Sequence, residues 1–230
     1  MEFLPNGYTL RIGEDCFPLS TDSMVLAHFT RLPRNARVLD LGSGCGTLGL
    51  LLCAKDSGCT VAGIEINGCA HQTALDNISR NALTGRMESI CADVREISSL
   101  FVPGTFSCCI SNPPYFSGGP ASKKLTSARR EDACSLSDLC RAAALALKFG
   151  GDFYLVHRPE RLAEIIAQGA ANGLEAKRLL LLRHKEDGPI ALILLHLRKG
   201  AKPGLKIEEQ ALFDKIGNPT SFYKEVYHID

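Results

Sequence analysis

The stretch "VLDLGSGCGTLGL" (38–50) constrains the fold more than any other part of the chain. An apolar run ends in Asp40 and Leu41, meets glycines at 42, 44 and 46, and passes into a second apolar run. Glycine permits a tight turn and close approach of a ligand, and a helix starting there points its first N–H groups at whatever binds. Strand, glycine turn and helix together form the opening unit of a parallel α/β sheet. The rest of the chain repeats the alternation. Near-continuous apolar runs at 36–41, 59–66, 86–92, 106–111 and 151–157 read as strands covered on both faces.

Helical patterns fill the gaps. Over 69–82 the stripe Ala70, Ala74, Ile78, Ala82 gives one apolar face. Residues 138–148 read as a helix capped by Ser137 and ended by Gly150 and Gly151, and 160–172 as another after Pro159. Later, 177–185, "EDGPI" and 191–200 read as an antiparallel hairpin. Ahead of the core, 7–20 suggests a small hairpin, and 21–30 a short helix started by Ser20 or Thr21. The expected fold class is therefore α/β, a Rossmann-like, mostly parallel seven-stranded sheet with a C-terminal antiparallel hairpin and a small N-terminal β-hairpin extension. A chain of 230 residues has room for one such domain: an extension at 1–35, a core at 36–200 and a tail at 201–230.

The glycine loop alone predicts an adenosine-containing cofactor without saying which. Residues 44–49 also fit G-x-G-x-x-G, and Glu65 follows at the distance expected of a ribose-binding acid in nicotinamide enzymes. The acids at strand ends favour S-adenosylmethionine. Asp40 precedes the glycines, where it can hold an ammonium directly or through water; Glu65 closes the second strand, and Asp93 the third. They suit ribose hydroxyls and an adenine amino group respectively, and Asp40 would repel a pyrophosphate. Taken singly, each acid also reads as a helix cap or a solvated loop residue.

The fourth strand ends in "SNPPYF" (111–116), at the edge where ligands of open α/β sheets bind. The prolines fix φ, so that Asn112 and the Pro113 carbonyl can offer two acceptors to one planar amino group, with Tyr115 as a stacking face. Two acceptors oppose conjugation of that nitrogen and turn its lone pair toward a methyl donor, with no strong base required.

Together, the glycine loop, Glu65, Asp93 and Asn112–Tyr115 resemble class I methyltransferases that act on planar amino groups. Within that class the chain is similar to the bacterial tRNA adenine-N6 methyltransferases that modify the adenine beside the anticodon of a valine tRNA. "FPLSTDSMVLAHF" (17–29), "ARRE" (128–131) and a tail with Pro203, Leu205, Ile207, Tyr223, Glu225 and Val226 add to the likeness. "ARRE" departs slightly from the family's usual stretch, which bears on the substrate more than on the chemistry. The resemblance implies that Asn112, Pro113, Pro114 and Tyr115 form the catalytic turn. It implies that Thr21, Asp22, Asp40, Gly42, Gly44, Gly46, Glu65, Ile66, Asp93, Val94 and Asn112 hold S-adenosylmethionine, which leaves as S-adenosylhomocysteine.

Release-factor glutamine methyltransferases share the Asn-Pro-Pro-Tyr turn but carry a helical domain before the glycine loop, for which the 35 residues here are too few. Adenine in rRNA or DNA, and a cofactor-binding RNA-associated module without catalysis, remain the alternatives. Lys123, Lys124, Arg129 and Arg130, in the loop after the turn, are candidates for tRNA phosphates or else a solvated surface. Lys199, Lys202 and Lys206 read as solvated surface, and His157 as a structural histidine.

Composition limits the setting. The net charge of +1 advertises no global nucleic-acid field, so any RNA contact must be local. Ten cysteines occur without a C-x-x-C pair, as expected for reduced, buried thiols in a cytoplasmic protein, and no histidine grouping suggests a metal. The start lacks a basic segment followed by an apolar one, so no leader or membrane anchor is expected, and a monomer is favoured.

Overall fold

A computed structural model describes residues 1–4, 7–13, 16–114 and 134–229. In chain order the elements are β1 (Glu2–Phe3), β2 (Thr9–Leu10), α1 (Thr21–Phe29), β3 (Arg37–Leu41), α2 (Thr47–Lys55), β4 (Thr60–Glu65), α3 (Gly68–Arg80) and β5 (Met87–Cys91). There follow α4 (Ile97–Leu100), β6 (Phe106–Ser111), α5 (Leu136–Ala146), β7 (Leu147–His157), α6 (Leu162–Ala171), β8 (Leu174–Lys185), β9 (Ile190–Lys199), β10 (Lys206–Phe213) and α7 (Ser221–Tyr227). Among these helices none is long and apolar enough to cross a membrane.

The main sheet runs β10-β8-β9-β7-β6-β3-β4-β5. Strands β5, β4, β3, β6 and β7 are parallel, β9 is antiparallel to β7 and β8, and β10 is parallel to β8. The expected Rossmann-like class and C-terminal hairpin are present. Among the described residues the main sheet has eight strands, not seven. The extra strand, β10, comes from the segment read as a tail: Lys206, Glu208, Glu209 and Gln210 hide its period, because an edge strand carries charge where a central one carries Val or Ile. Arg178 and Arg183 of β8 pair with Glu208 and Glu209 across the edge.

One face is packed by α1, α2, α3 and α7, the other by α4, α5 and α6. The chain builds β3-β4-β5 outward and then crosses back to lay β6 on the far side of β3. The order therefore reverses between β3 and β6, and a crevice opens there at the carboxyl ends.

Two local expectations shift. The N-terminal hairpin lies earlier than expected, with Glu2 opposite Leu10 and Phe3 opposite Thr9. Its second strand is also held by side chains of α3: Asn81 exchanges two hydrogen bonds with Thr9, and Asn77 two with Arg11, all at 2.8–2.9 Å. Helix α5 is capped by Ser135, whose hydroxyl accepts from Asp138 N–H while the Asp138 carboxylate accepts from Ser135 N–H. That reciprocal spacing selects Ser135 over Ser137. Gly150 and Gly151 do not end this helix. They lie in β7, where Gly150 adopts φ +75° and the register against β6 shifts.

Candidate active site

The loop after β3 is built on left-handed glycines, with φ +75° at Gly42, +56° at Gly44 and +84° at Gly46. A Cβ at Gly42 or Gly44 would meet nothing within 4 Å, so backbone handedness alone demands glycine there. The N–H groups of Gly42 and Ser43 both donate to the Ile64 carbonyl, tying the loop to the end of β4. Glu65 completes the tie: one carboxylate oxygen accepts from Gly44 N–H and the other from Asn67 N–H, each at 2.8 Å. Asn77, fully buried in α3, donates to the Cys45 carbonyl at 2.9 Å. The same amide thus joins the N-terminal segment to the glycine loop.

Asp40 lies under this loop with no exposed surface, and neither carboxyl oxygen has a hydrogen-bond partner among the described residues. Burial, reinforced by the Glu65 charge, pushes its pKa up to about 8. The buried Ser43 hydroxyl is likewise unpartnered. Asp93 is different. It caps the short turn Val94–Glu96 and accepts from the backbone and guanidinium of Arg95, which holds its carboxyl below the usual range. Its carboxylate is thus already engaged by that arginine.

On the other side of the crevice, the Ser111 hydroxyl donates to the Leu41 carbonyl at 2.8 Å and locks the end of β6 to β3. Asn112 then turns toward α1, its amide NH₂ donating to the Ser23 hydroxyl at 3.1 Å. Ser23 is buried, and its N–H donates to the N-cap hydroxyl of Ser20.

Two adjoining cavities, of about 280 and 160 Å³, meet at Gly42, Gly44 and Asn112–Pro114. Asp22 lines the larger; Glu65, Ile66, Asp93 and Val94 line the smaller. Three expected residues stand back from both. Asp40 is beneath the loop, Gly46 is the N-cap of α2 packed over Met87, and Thr21 accepts a hydrogen bond from the Tyr227 hydroxyl. Tyr115, Lys123, Lys124, Arg129 and Arg130 lie outside the described residues.

The structure also brings in residues that the sequence did not single out. Phe17 borders both cavities and Arg158, just after β7, borders the larger. Ser23 is the third. Its one local sign was a hydroxyl three residues after Ser20, just ahead of the apolar run Met24–Ala27.

This architecture, a glycine loop and an Asn-Pro-Pro turn facing each other across a strand-order reversal, is that of a Rossmann-like α/β methyltransferase. A predicted O-methyltransferase from Agrobacterium tumefaciens superposes with a TM-score of 0.76 at 22% identity, over 90% of this chain and 96% of that one. A T. thermophilus 16S rRNA N2-guanine methyltransferase, solved with AdoMet and guanosine, superposes with a TM-score of 0.57 at 24% identity, over 79% and 44%. Residues 20–168 match the methyltransferase small domain family, and the chain belongs to that family. It is 32% identical over 174 residues to the tRNA1(Val) (adenine(37)-N6)-methyltransferase of Bacteroides fragilis, covering 74% of this chain and 73% of the relative. The protein of the same name from Tolumonas auensis is 29% identical over 205 residues, 87% of this chain and 83% of the relative.

Proposed function

We propose that this protein transfers a methyl group from S-adenosylmethionine to the exocyclic N6 amino group of an adenine in tRNA, the base beside the anticodon of a valine tRNA. The observation that carries this reading is the position of Asn112, Pro113 and Pro114 at the seam of the two cavities, with the Asn112 amide held by Ser23. The names of the relatives supply the tRNA and the target atom.

The site fits the cofactor. Among the described residues the Asp40 carboxyl below the glycine loop and the Ser43 hydroxyl within it have no partner, which suits a hydroxyl-bearing ligand whose positive charge would bring the raised Asp40 pKa back down. S-adenosylmethionine supplies an electrophilic methyl group when bound. Gly42, Gly44, Glu65, Ile66, Asp93 and Val94 would hold its adenosine, with Asp22, Thr21 and Asp40 toward the methionine end and Gly46 shaping the loop. Donation to Ser23 fixes the orientation of the Asn112 amide, so its accepting end is the one turned away from α1. That oxygen and the Pro113 carbonyl hold the two N–H groups of the target, and Pro114 keeps the turn rigid. Tyr115 stacks on the adenine, and Lys123, Lys124, Arg129 and Arg130 hold flanking phosphates. Such a substrate places the protein in the cytoplasm.

Nucleoside mass spectrometry of tRNA from a strain lacking the gene tests the substrate: loss of N6-methyladenosine is expected, and an unchanged profile refutes it. In vitro, Asn112→Ala should lower kcat by about 10²–10³-fold while S-adenosylhomocysteine affinity stays near wild type. A variant that keeps most of its rate would remove the amino-group clamp.

A further inference from the structure

A third cavity, of about 150 Å³, opens beside the larger one and shares Asp22 and Arg158 with it. Leu182, Leu192 and Leu212 form its apolar lining, and Arg183 and His184, near the end of β8, form its outer wall. From His184 a row of rings runs along the C-terminal elements. His184 lies 5.1 Å from Phe213, Phe213 lies 5.0 Å from Tyr223, and Tyr223 stacks on Tyr227 at 4.4 Å. The Tyr227 hydroxyl donates to Thr21 at 3.0 Å and returns the row to the residue beside Asp22.

Phe213, Tyr223 and Tyr227 pack against the core of this face, and His184 is the outer end of the row. His184 is exposed, and Phe213, Tyr223 and Tyr227 are half-buried. A cation accompanies it: the Arg158 guanidinium, donating to the Ala191 carbonyl at 3.2 Å, stands between the two cavities, and Lys215 and Lys224, near Phe213 and Tyr223 in the chain, are exposed. The facing acids include Asp22, in the lining, and Glu209, which is paired with Arg183; the Asp214 carboxylate accepts the N–H groups of its own turn at Ile216, Gly217 and Asn218. An exposed ring at His184, backed by Phe213, with the Arg158 guanidinium on the same cavity, offers what one unstacked nucleotide needs: a π-face for its base and positive charge for its phosphate. A base taken out of its stack must also leave its neighbours somewhere to go.

Resting on the tRNA reading above, we propose that this groove binds the RNA strand next to the target adenine, with a neighbouring base stacked on His184 and the intervening phosphate at Arg158. The C-terminal strand and helix then form part of the substrate site, continuous with the catalytic cavity through Asp22 and Arg158.

The test uses the full chain and the anticodon stem-loop of the valine tRNA, with RNA affinity, kcat, KM and S-adenosylhomocysteine affinity measured for each variant. His184→Ala should raise Kd and KM for the RNA about tenfold, with kcat and cofactor affinity unchanged, and His184→Phe should restore both. Arg158→Gln should reduce the dependence of log Kd on log salt by about one. If the wild type methylates the stem-loop but His184→Ala binds it equally well, or Arg158→Gln keeps the full salt slope, the groove proposal is overturned and the function stands. A wild type that neither binds nor methylates the stem-loop overturns both.

Discussion

Asp40 and Asp152 are two buried aspartates on one face of the same sheet, two strands and two residues of register apart. Asp40, beneath the glycine loop, has no hydrogen-bond partner among the described residues, and burial and Glu65 push it up to about 8. Asp152, toward the opposite end of the strands, accepts from His196 at 2.7 Å and from Arg198 at 2.7 and 3.2 Å. Burial raises its pKa too, but those two partners outweigh it and hold the carboxyl below the usual range. The same residue type on one face of the sheet thus takes opposite electrostatic states, the deeper one without partners being driven toward neutrality. A satisfied charge stays ionised at little cost, and an unsatisfied one is driven toward its neutral form.

The two should titrate in opposite directions. With its folded pKa raised, Asp40 supports the fold fully below an ordinary carboxylate pKa and loses that support as pH climbs through about 8. With its pKa depressed, Asp152 supports the fold above the ordinary value and loses that support as pH falls through its folded pKa.

The largest expected effect is therefore the flattening of the alkaline limb by Asp40→Asn. Linkage is worth on the order of 1.4 kcal/mol per pH unit between the two pKa values, so wild-type stability should drop by several kcal/mol from Asp40 alone. Urea unfolding at pH 5 and pH 9 should show a smaller difference in the variant than in the wild type. Its affinity for S-adenosylhomocysteine should fall about tenfold, roughly 1.4 kcal/mol, if the carboxylate serves an ammonium. Equal pH profiles for variant and wild type would break the contrast.

Asp152→Ala comes next, at about 3 kcal/mol of lost stability near neutral pH. The half-exposed Arg198 can recover water, but buried His196 cannot. Cofactor affinity of the folded fraction should stay near wild type; a cofactor defect at full stability would place Asp152 on the wrong side of the comparison.

On the Asp40 side, Asn77 supports the glycine loop, since its amide serves both that loop and the N-terminal segment. Asn77→Ala should cost about 2 kcal/mol, because it leaves the Cys45 carbonyl without this partner. A several-fold weakening of S-adenosylhomocysteine binding by calorimetry should accompany it, as for comparable hydrogen-bond losses. Loss of stability without weaker binding would separate the loop from its support.

The parallel half of the sheet was legible because its strands are covered on both faces and read as apolar runs; β6 lies where the run predicts, at Phe106–Ser111. Edge strand β10 was not, because its stability comes from pairing with β8 and from Arg178 and Arg183, which lie about thirty residues away in the chain. Among the cofactor candidates, the glycines, Glu65 and Asp93 stand at strand ends that their neighbours specify. Whether an acid there is paired, like Asp93 with Arg95, or orphaned, like Asp40, depends on packing that no local pattern encodes.

By itself the sequence determined the turns: left-handed glycines after β3, and a proline-fixed asparagine after β6. Both follow from the φ that each residue permits, a property of single residues and their nearest neighbours. Tertiary structure alone decided how those turns are aimed. Ser23 holds the Asn112 amide from 89 residues away, and the Tyr227 hydroxyl reaches Thr21 from 206 away. A hydrogen bond between distant residues acts only once the chain has closed the loop between them, so its partners leave no periodicity for the sequence to display.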